Sequence, residues 1–568
     1  MTNDRVVRAQ RYGNETVEVT HTRSHRPEES GGVFPPLEPG SEVHEGIRID
    51  RDVAVTLRDG VTIYTDVYRP QNAETVPAIV AWSPYGKRAG YVGANHALGV
   101  PADTFSAGTK FEGPDPEYWC PRGYAIINPD PRGVGNSEGD IVQWCTAEGR
   151  DTADLIEWVA EQSWCTGKVG MSGSSWLAIS QLFAAAERPP HLACIAPWEG
   201  LSDFYRELAM RGGIPEVGFL GFLRHRLTGP NYFEDAVEMC RTRPLYDAYW
   251  ADKSAALERI EVPTYLTAGW SHFHLYGSLE TYQRIGTDKK WMRAHREFEW
   301  PDYYCAENLR DLELFFERYL KGMRNGWELT PRVRLDVMDR GDRDAVTRRA
   351  EADFPLADTE YRTLHLDAAT STMGETNPET RADIVYDAQT GSVSFDHVFA
   401  EDTEITGYIG LRLWVEARGN DDADIFVALQ KADEDGTFVP TLVLGQAHPG
   451  SPGMLRASHR ELDESASTPS RPWHTHGREQ KLSPGEIVPL DIAIWPTSRF
   501  WHAGERLRVC VSGHYIRDSW FEPFRWDLLN QGEHVLHTGG EHDSYLVIPV
   551  IPARRRVIPD APFPQLTY

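Results

Sequence analysis

The chain has 568 residues, with 58 Lys and Arg against 85 Asp and Glu, a formal charge of −27, and 40% hydrophobic and 11% aromatic residues. That length exceeds one ordinary domain and the apolar content supports real cores, so two or more folded units are expected and a disordered chain is excluded. So acidic a surface repels phosphate backbones and anionic lipids, which argues against nucleic acid or membrane as partner.

The seven cysteines (Cys120, Cys145, Cys165, Cys194, Cys240, Cys305 and Cys510) are scattered, odd in number and never in a C-x-x-C pair. Neither a disulfide framework nor a zinc finger is indicated. The opening MTNDRVVRAQRYGNETVEV lacks an apolar leader, and no run of about 18 apolar residues occurs. A reduced, cytoplasmic protein is expected.

Residues 1–46 are polar, carry GG, PP and PG pairs, and read as an N-terminal arm. Two alternating runs then flank Asp59-Gly60, a strong hairpin signal. From there to about residue 328, short apolar strands (76–82, 124–128, 168–173, 191–198, 263–270, 289–295) alternate with helical stretches (151–162, 176–187, 307–320). This order predicts a doubly wound, mostly parallel sheet over 47–200 and 261–328. Between them, residues 201–260 show helix-like pieces and no strand, and read as a helical cap over the sheet's carboxyl edge. From 329 to 568 the pattern is alternating strands separated by Gly, Pro, Asp and Asn, predicting an all-β jelly roll or sandwich.

The stretch KVGMSGSSWLAISQ (168–181) carries the most chemistry. A strand, a Gly/Ser-rich turn and an apolar helix in direct succession are the setting of a nucleophile elbow. There a strained turn projects a Ser hydroxyl above the sheet, and the helix N-terminus offers N–H groups to an oxyanion. Two serines compete. Ser172 has Gly170 and Ser174 two positions away, whereas Ser175 has Gly173 before it and Leu177 after it.

With these motifs in place, the chain resembles the cocaine-esterase/NonD type of serine hydrolase, the X-Pro dipeptidyl-peptidase-like branch of the α/β-hydrolases. The resemblance rests on RDGVTIYTDVYRP (58–70), WSPYGKR (82–88), PDPRGVGNSEGD (129–140) and the Trp164–Gly170 lead into the elbow. It continues through APWEGLSDFYRE (196–207), FFERYLKG (315–322) and GMLRASHREL (453–462). It implies an α/β-hydrolase domain with an inserted helical cap, followed by a C-terminal jelly roll. The family elbow G-x-S-Y-x-G falls on Gly173, Ser174, Ser175, Trp176, Leu177 and Ala178, making Ser175 the nucleophile, with Trp176 in place of Tyr and Ala178 in place of Gly.

A serine hydroxyl needs a base. In this topology the His follows the last core strand, so His295 in KKWMRAHREFEW is expected. The oxyanion is expected to meet the Trp176 N–H and, as the resemblance implies, the Tyr85 hydroxyl. The family places an acid after the G-W of TAGW; here Ser271-His272-Phe273-His274 follows, without a carboxylate. Glu199 in APWEG is the candidate acid, with Asp203 and Asp302 behind it, while His272 and His274 are expected to line the substrate pocket. PRGVGNSEGD (131–140) reads G-x-G-x-x-x-G, not a dinucleotide loop, and is taken as a turn with Arg132 paired to Asp130.

The expected function is hydrolysis of a small-molecule carboxylic ester or amide through an acyl-enzyme, with no cofactor or metal and a possible homo-oligomer. The alternatives are an X-Pro dipeptidyl aminopeptidase, an amino-acid ester hydrolase or acyltransferase, and, from another class, a non-catalytic binding protein on a hydrolase scaffold.

Overall fold

The stretch read as an N-terminal arm is not featureless. Val17, Val19 and His21 alternate inward, and the chain turns at Gly13, giving a hairpin of β1 (Arg5–Tyr12) and β2 (Glu15–Arg23). The remaining strands of the first half are β3 (Gly40–His44), β4 (Ile47–Thr56), β5 (Thr62–Pro70), β6 (Val76–Val80), β7 (Ala125–Asp130), β8 (Cys165–Ser174), β9 (Leu192–Trp198), β10 (Tyr232–Glu234), β11 (Thr264–Gly269) and β12 (Lys290–His295). The computed structural model describes residues 5–23, 36–88, 98–227, 231–516 and 523–552. The chain divides into one unit of residues 1–332, 476–479 and 521–528, and a second of residues 333–475, 480–520 and 529–568.

In the first unit β4 and β5 form the hairpin signalled by Asp59-Gly60, and β5 pairs antiparallel with β7. Beyond β7 every pairing is parallel, in the order β7, β6, β8, β9, β11, β12. Strands buried on both faces read as continuous apolar runs, as AIIN and TYLTAG do.

The helices are α1 (Pro116–Trp119), α2 (Thr146–Ala160), α3 (Trp176–Ala186), α4 (Gly218–Arg226), α5 (Ala236–Thr242), α6 (Ala248–Ala251), α7 (Leu275–Arg284), α8 (Glu299–Tyr303) and α9 (Ala306–Tyr319). Asp115, Asp235 and Asp247 start α1, α5 and α6 by accepting first-turn N–H groups with their carboxylates. α3 is buried along its whole length, which explains why it carries so few polar residues. Among the described residues, no helix is long and apolar enough to cross a membrane.

Residues 201–260 carry α4, α5, α6 and a π-helical turn at Tyr205–Ala209. They also carry β10, against the expectation of no strand there. β10 is only three residues long, too short to show alternation, and it pairs with β2. The expected Arg132–Asp130 pair is replaced by two others. Arg132 holds Asp151 bidentately, at 2.7 and 2.8 Å, and Asp130 takes the Lys87 ammonium at 2.6 Å.

The second unit is antiparallel β structure. Its long strand Thr403–Arg418 pairs along one edge with Val488–Trp501 and along the other with Glu533–Thr538 and Tyr545–Ile551. Arg506–Ser512 pairs with both Ser392–Val398 and Asp424–Ala432. Leu411, Leu413, Val415, Ile492, Val509 and Val511, alternate residues of their strands, meet in one buried core.

Candidate active site

The elbow lies between β8 and α3. Ser175 holds φ 54°, ψ −118°, a strained conformation for a residue with a Cβ. Its neighbours fix it there. The Ser174 N–H donates to Glu112 O (3.1 Å), and the Ser175 N–H to Glu199 O (3.0 Å). Gly173 has φ 131°, and a Cβ on it would stand 2.4 Å from the Leu177 side chain, so only glycine fits. Trp176 is the first residue of α3, where an N–H has no acceptor within the helix and is available to an oxyanion. Its indole N–H is bound to Glu148 at 2.7 Å, and the same carboxyl accepts from the Trp82 indole and the Trp144 N–H. Burial pushes Glu148 up to about 7. Ser172, the competing serine, is buried against α8 with its hydroxyl 2.9 Å from the Tyr303 hydroxyl.

The imidazole that reaches Ser175 is not the expected one. His274, immediately before α7, places Nε2 3.2 Å from Ser175 Oγ. His295 ends β12 with Nδ1 3.1 Å from Glu297 O, and Nε2 3.1 Å from Glu199 and 3.3 Å from Asp302. Burial opposes a charge on His295, but Asp302 and Glu199 outweigh it and its pKa is raised. Its Nδ1 lies at hydrogen-bond distance from a backbone carbonyl and its Nε2 beside two carboxyls, and Ser175 Oγ has its contact with His274 instead. His274, expected as pocket lining, takes the position assigned to His295. Burial alone lowers its pKa to about 3, so at neutral pH its ring is uncharged, as a proton acceptor must be.

Glu199 does lie beside His295, and its other oxygen is 3.1 Å from His272 Nδ1. Its φ of 60° is another left-handed position. Gly269 makes the room, because a Cβ there would stand 2.7 Å from the Glu199 carboxylate. His272 Nδ1 also accepts the His274 N–H at 3.2 Å, and its Nε2 is 3.5 Å from Glu299. Asp203 is elsewhere, bound to Arg206 in the insertion. Asp302 pairs with Arg293 and contacts His295.

Glu112 and Glu299 were not anticipated. Glu112 (φ 64°) accepts from the Trp300 indole at 2.9 Å and hydrogen-bonds the Tyr85 hydroxyl. Burial lifts it to about 8. Burial, and then the charges of Glu112 and Glu199, raise Glu299 well above the carboxylate range. No motif marks Glu112. Glu299 comes shortly after the last strand, a position from which a side chain can return to the sheet's edge. Tyr85 packs edge-on to Phe111 and Trp176.

Gly277, in the first turn of α7, lets the helix lie against the turn after β9. A Cβ there would be 2.3 Å from Glu207 and 2.7 Å from Gly200 O. Phe219, Phe273 and Phe524 form an aromatic cluster that continues from His274, with ring centroids 5.3–5.5 Å apart. Three groups of side chains among the described residues have metal-ligand spacing: His272, His274 and Glu299; His44, Glu45 and Glu117; and Asp339, His502 and Glu505.

A parallel sheet with a strained serine between strand and helix, and an imidazole on its hydroxyl, defines a serine hydrolase of the α/β class. Residues 59–232 match the family described as X-Pro dipeptidyl-peptidase (S15 family), and residues 325–547 its C-terminal non-catalytic domain. The crystal structure of a CocE/NonD family hydrolase from Staphylococcus aureus is 34% identical, covers 91% of this chain and 100% of its own, and superposes with a TM-score of 0.84. The chain belongs to the CocE/NonD family of hydrolases. The cocaine esterase of Rhodococcus sp. (strain MB1 Bresler) is 26% identical over 88% of this chain and 98% of its own length. An α-amino acid ester hydrolase, 16% identical with a TM-score of 0.67 over 91% of this chain and 99% of its own, shares the fold.

Proposed function

We propose that this enzyme hydrolyses a carboxylic ester or amide of a small molecule through an acyl-enzyme on Ser175, with His274 as its base. The observation that carries this reading is the 3.2 Å contact between Ser175 Oγ and His274 Nε2 at a strained elbow. His274 Nε2 takes the hydroxyl proton as Oγ bonds to the carbonyl carbon. The oxyanion is met by the Trp176 N–H and the Tyr85 hydroxyl. The proton passes to the departing alcohol or amine as its bond to carbon breaks, and water then repeats the sequence to release the acid. Glu299 and His272 stand beside the imidazole, each with a polar atom within 4.8 Å of it. The Phe219–Phe273–Phe524 cluster suits an apolar substituent.

The same reading divides the chain into an arm (1–46), a hydrolase domain (47–200 and 261–328), a helical cap (201–260) and a jelly roll (329–568). The seven cysteines, all free, support a cytoplasmic setting.

A fluorophosphonate probe tests the nucleophile. Wild type and Ser172→Ala are expected to label and Ser175→Ala to stay unlabelled. Labelling that survives Ser175→Ala but not Ser172→Ala would overturn the assignment.

A second reading is favoured by the buried carboxyls Glu112, Glu199 and Glu299 beside the base: burial holds their pKa values up in the free enzyme, and a substrate's α-ammonium would bring them down again and draw out their charge. Acylating the amine of an amino-acid ester separates the two. A plain esterase is expected to keep its turnover, whereas an aminopeptidase or amino-acid ester hydrolase would lose it.

A further inference from the structure

Two imidazoles and a carboxylate meet beside the nucleophile with more ligand capacity than the serine mechanism uses. One ligand atom from each of His272, His274 and Glu299 lies within 4.8 Å of the other two, and all three side chains are buried. His274 is 1% and Glu299 2% exposed. His274 Nδ1 and Glu299 Oε2 have no hydrogen-bond partner among the described residues. A buried polar atom left in that state costs stability unless something fills the space it faces. Glu112 and Glu199 add further carboxyls close by, and theirs are the charges that act on Glu299.

The other two clusters lack this character. His44, Glu45 and Glu117 are solvent-exposed. Asp339 and Glu505 already hold the Lys431 ammonium, at 2.7 and 2.8 Å.

We propose that His272, His274 and Glu299 form a binding site for a divalent transition metal of the Zn2+ type, and that occupation of this site switches the hydrolase off. Two imidazoles and one carboxylate are a donor set that such ions favour, and the side chains need to close by only about 1 Å to reach ordinary metal–ligand lengths. Glu299 binds as carboxylate, so any proton it carries leaves to solvent.

Inhibition follows from the tautomer. The serine needs a lone pair on His274 Nε2. A metal on Nε2 takes that lone pair directly. A metal on Nδ1 leaves the neutral ring's single proton on Nε2, which then donates to Ser175 Oγ and cannot accept from it. Either mode removes the base. The inhibitory half of the proposal rests on Ser175 and His274 as the reacting pair; the binding half does not.

The test uses the full-length chain. Ser175→Ala, titrated with Co2+ and Zn2+, is expected to bind one ion, with the visible absorption of a low-coordinate Co2+ site. His272→Gln and Glu299→Gln are each expected to weaken binding by more than about 100-fold, beyond the loss of an outer partner. Circular dichroism of each variant checks that it is folded. Hydrolysis by wild type is expected to fall in step with Zn2+ occupancy and to return with a chelator. No ion bound to Ser175→Ala, or affinity unchanged in both ligand variants, overturns the site. Binding at the site with hydrolysis unaffected overturns the switch. A wild type that binds the ion but never hydrolyses an ester would instead sink the hydrolase reading and leave the metal site standing.

Discussion

His274→Ala is expected to lower kcat on an activated aryl ester by about a million-fold with little change in KM, the scale of losing a triad histidine. The imidazole meets the serine proton and only afterwards the leaving group, so its contribution falls on the transition state and not on ground-state binding. The His274 backbone N–H that donates to His272 is retained by alanine, so the loop keeps its anchor. Added imidazole should recover part of the rate, because the truncation leaves a space of the right shape beside Ser175. His295→Ala is expected to cost less. That ring is held between the Glu297 carbonyl on its own loop and the carboxyls of Glu199 and Asp302, and does not touch the serine. The assignment fails if His295→Ala abolishes turnover in a folded protein while His274→Ala leaves it intact.

Asp302→Ala is expected to destabilise the first unit by about 3–5 kcal/mol, the range for breaking a buried ion pair from one side. Asp302 accepts both terminal nitrogens of Arg293, the Trp198 indole N–H at 2.8 Å and the Asn308 amide at 3.0 Å. Removing it leaves the Arg293 guanidinium buried without its counter-charge, the costliest kind of truncation. Asp302→Asn, which keeps the size and part of the hydrogen bonding, should fall between the two. The midpoint of the first denaturant transition reads this out, since a chain of two units need not unfold in one step. A loss under about 1 kcal/mol would mean that water reaches Arg293 and that the pair is not a structural keystone.

The order of strands and helices was legible because both periodicities are strong in this chain. The strands at 76–82, 191–198 and 289–295 and the helix at 176–187 recur within a residue or two of their expected bounds. The hairpin within the arm was not legible because GNETVEVTHTR mixes charged residues into a true alternation, and pairing with β10 is a long-range fact. The elbow was legible for a local reason: Gly173, Ser174 and Ser175 make their own strained turn. The base was not. β11 and β12 are adjacent and parallel, with Gly269 opposite His295, so both loops open at one edge of the sheet and either could deliver a histidine. What decides is that Glu199 and Asp302 capture His295 first. The signal that could have been read is the position after TAGW, where the family acid is missing and two histidines stand instead.

Gly277 has a consequence for the timing of catalysis. With no side chain at that position, the helix carrying His274 at its start rests directly on the turn that carries Glu199 and Gly200. An imidazole on such a mount does not wander as one on a free loop does. The alignment entropy of bringing base and serine together is therefore met once per molecule, at folding, and not once per turnover.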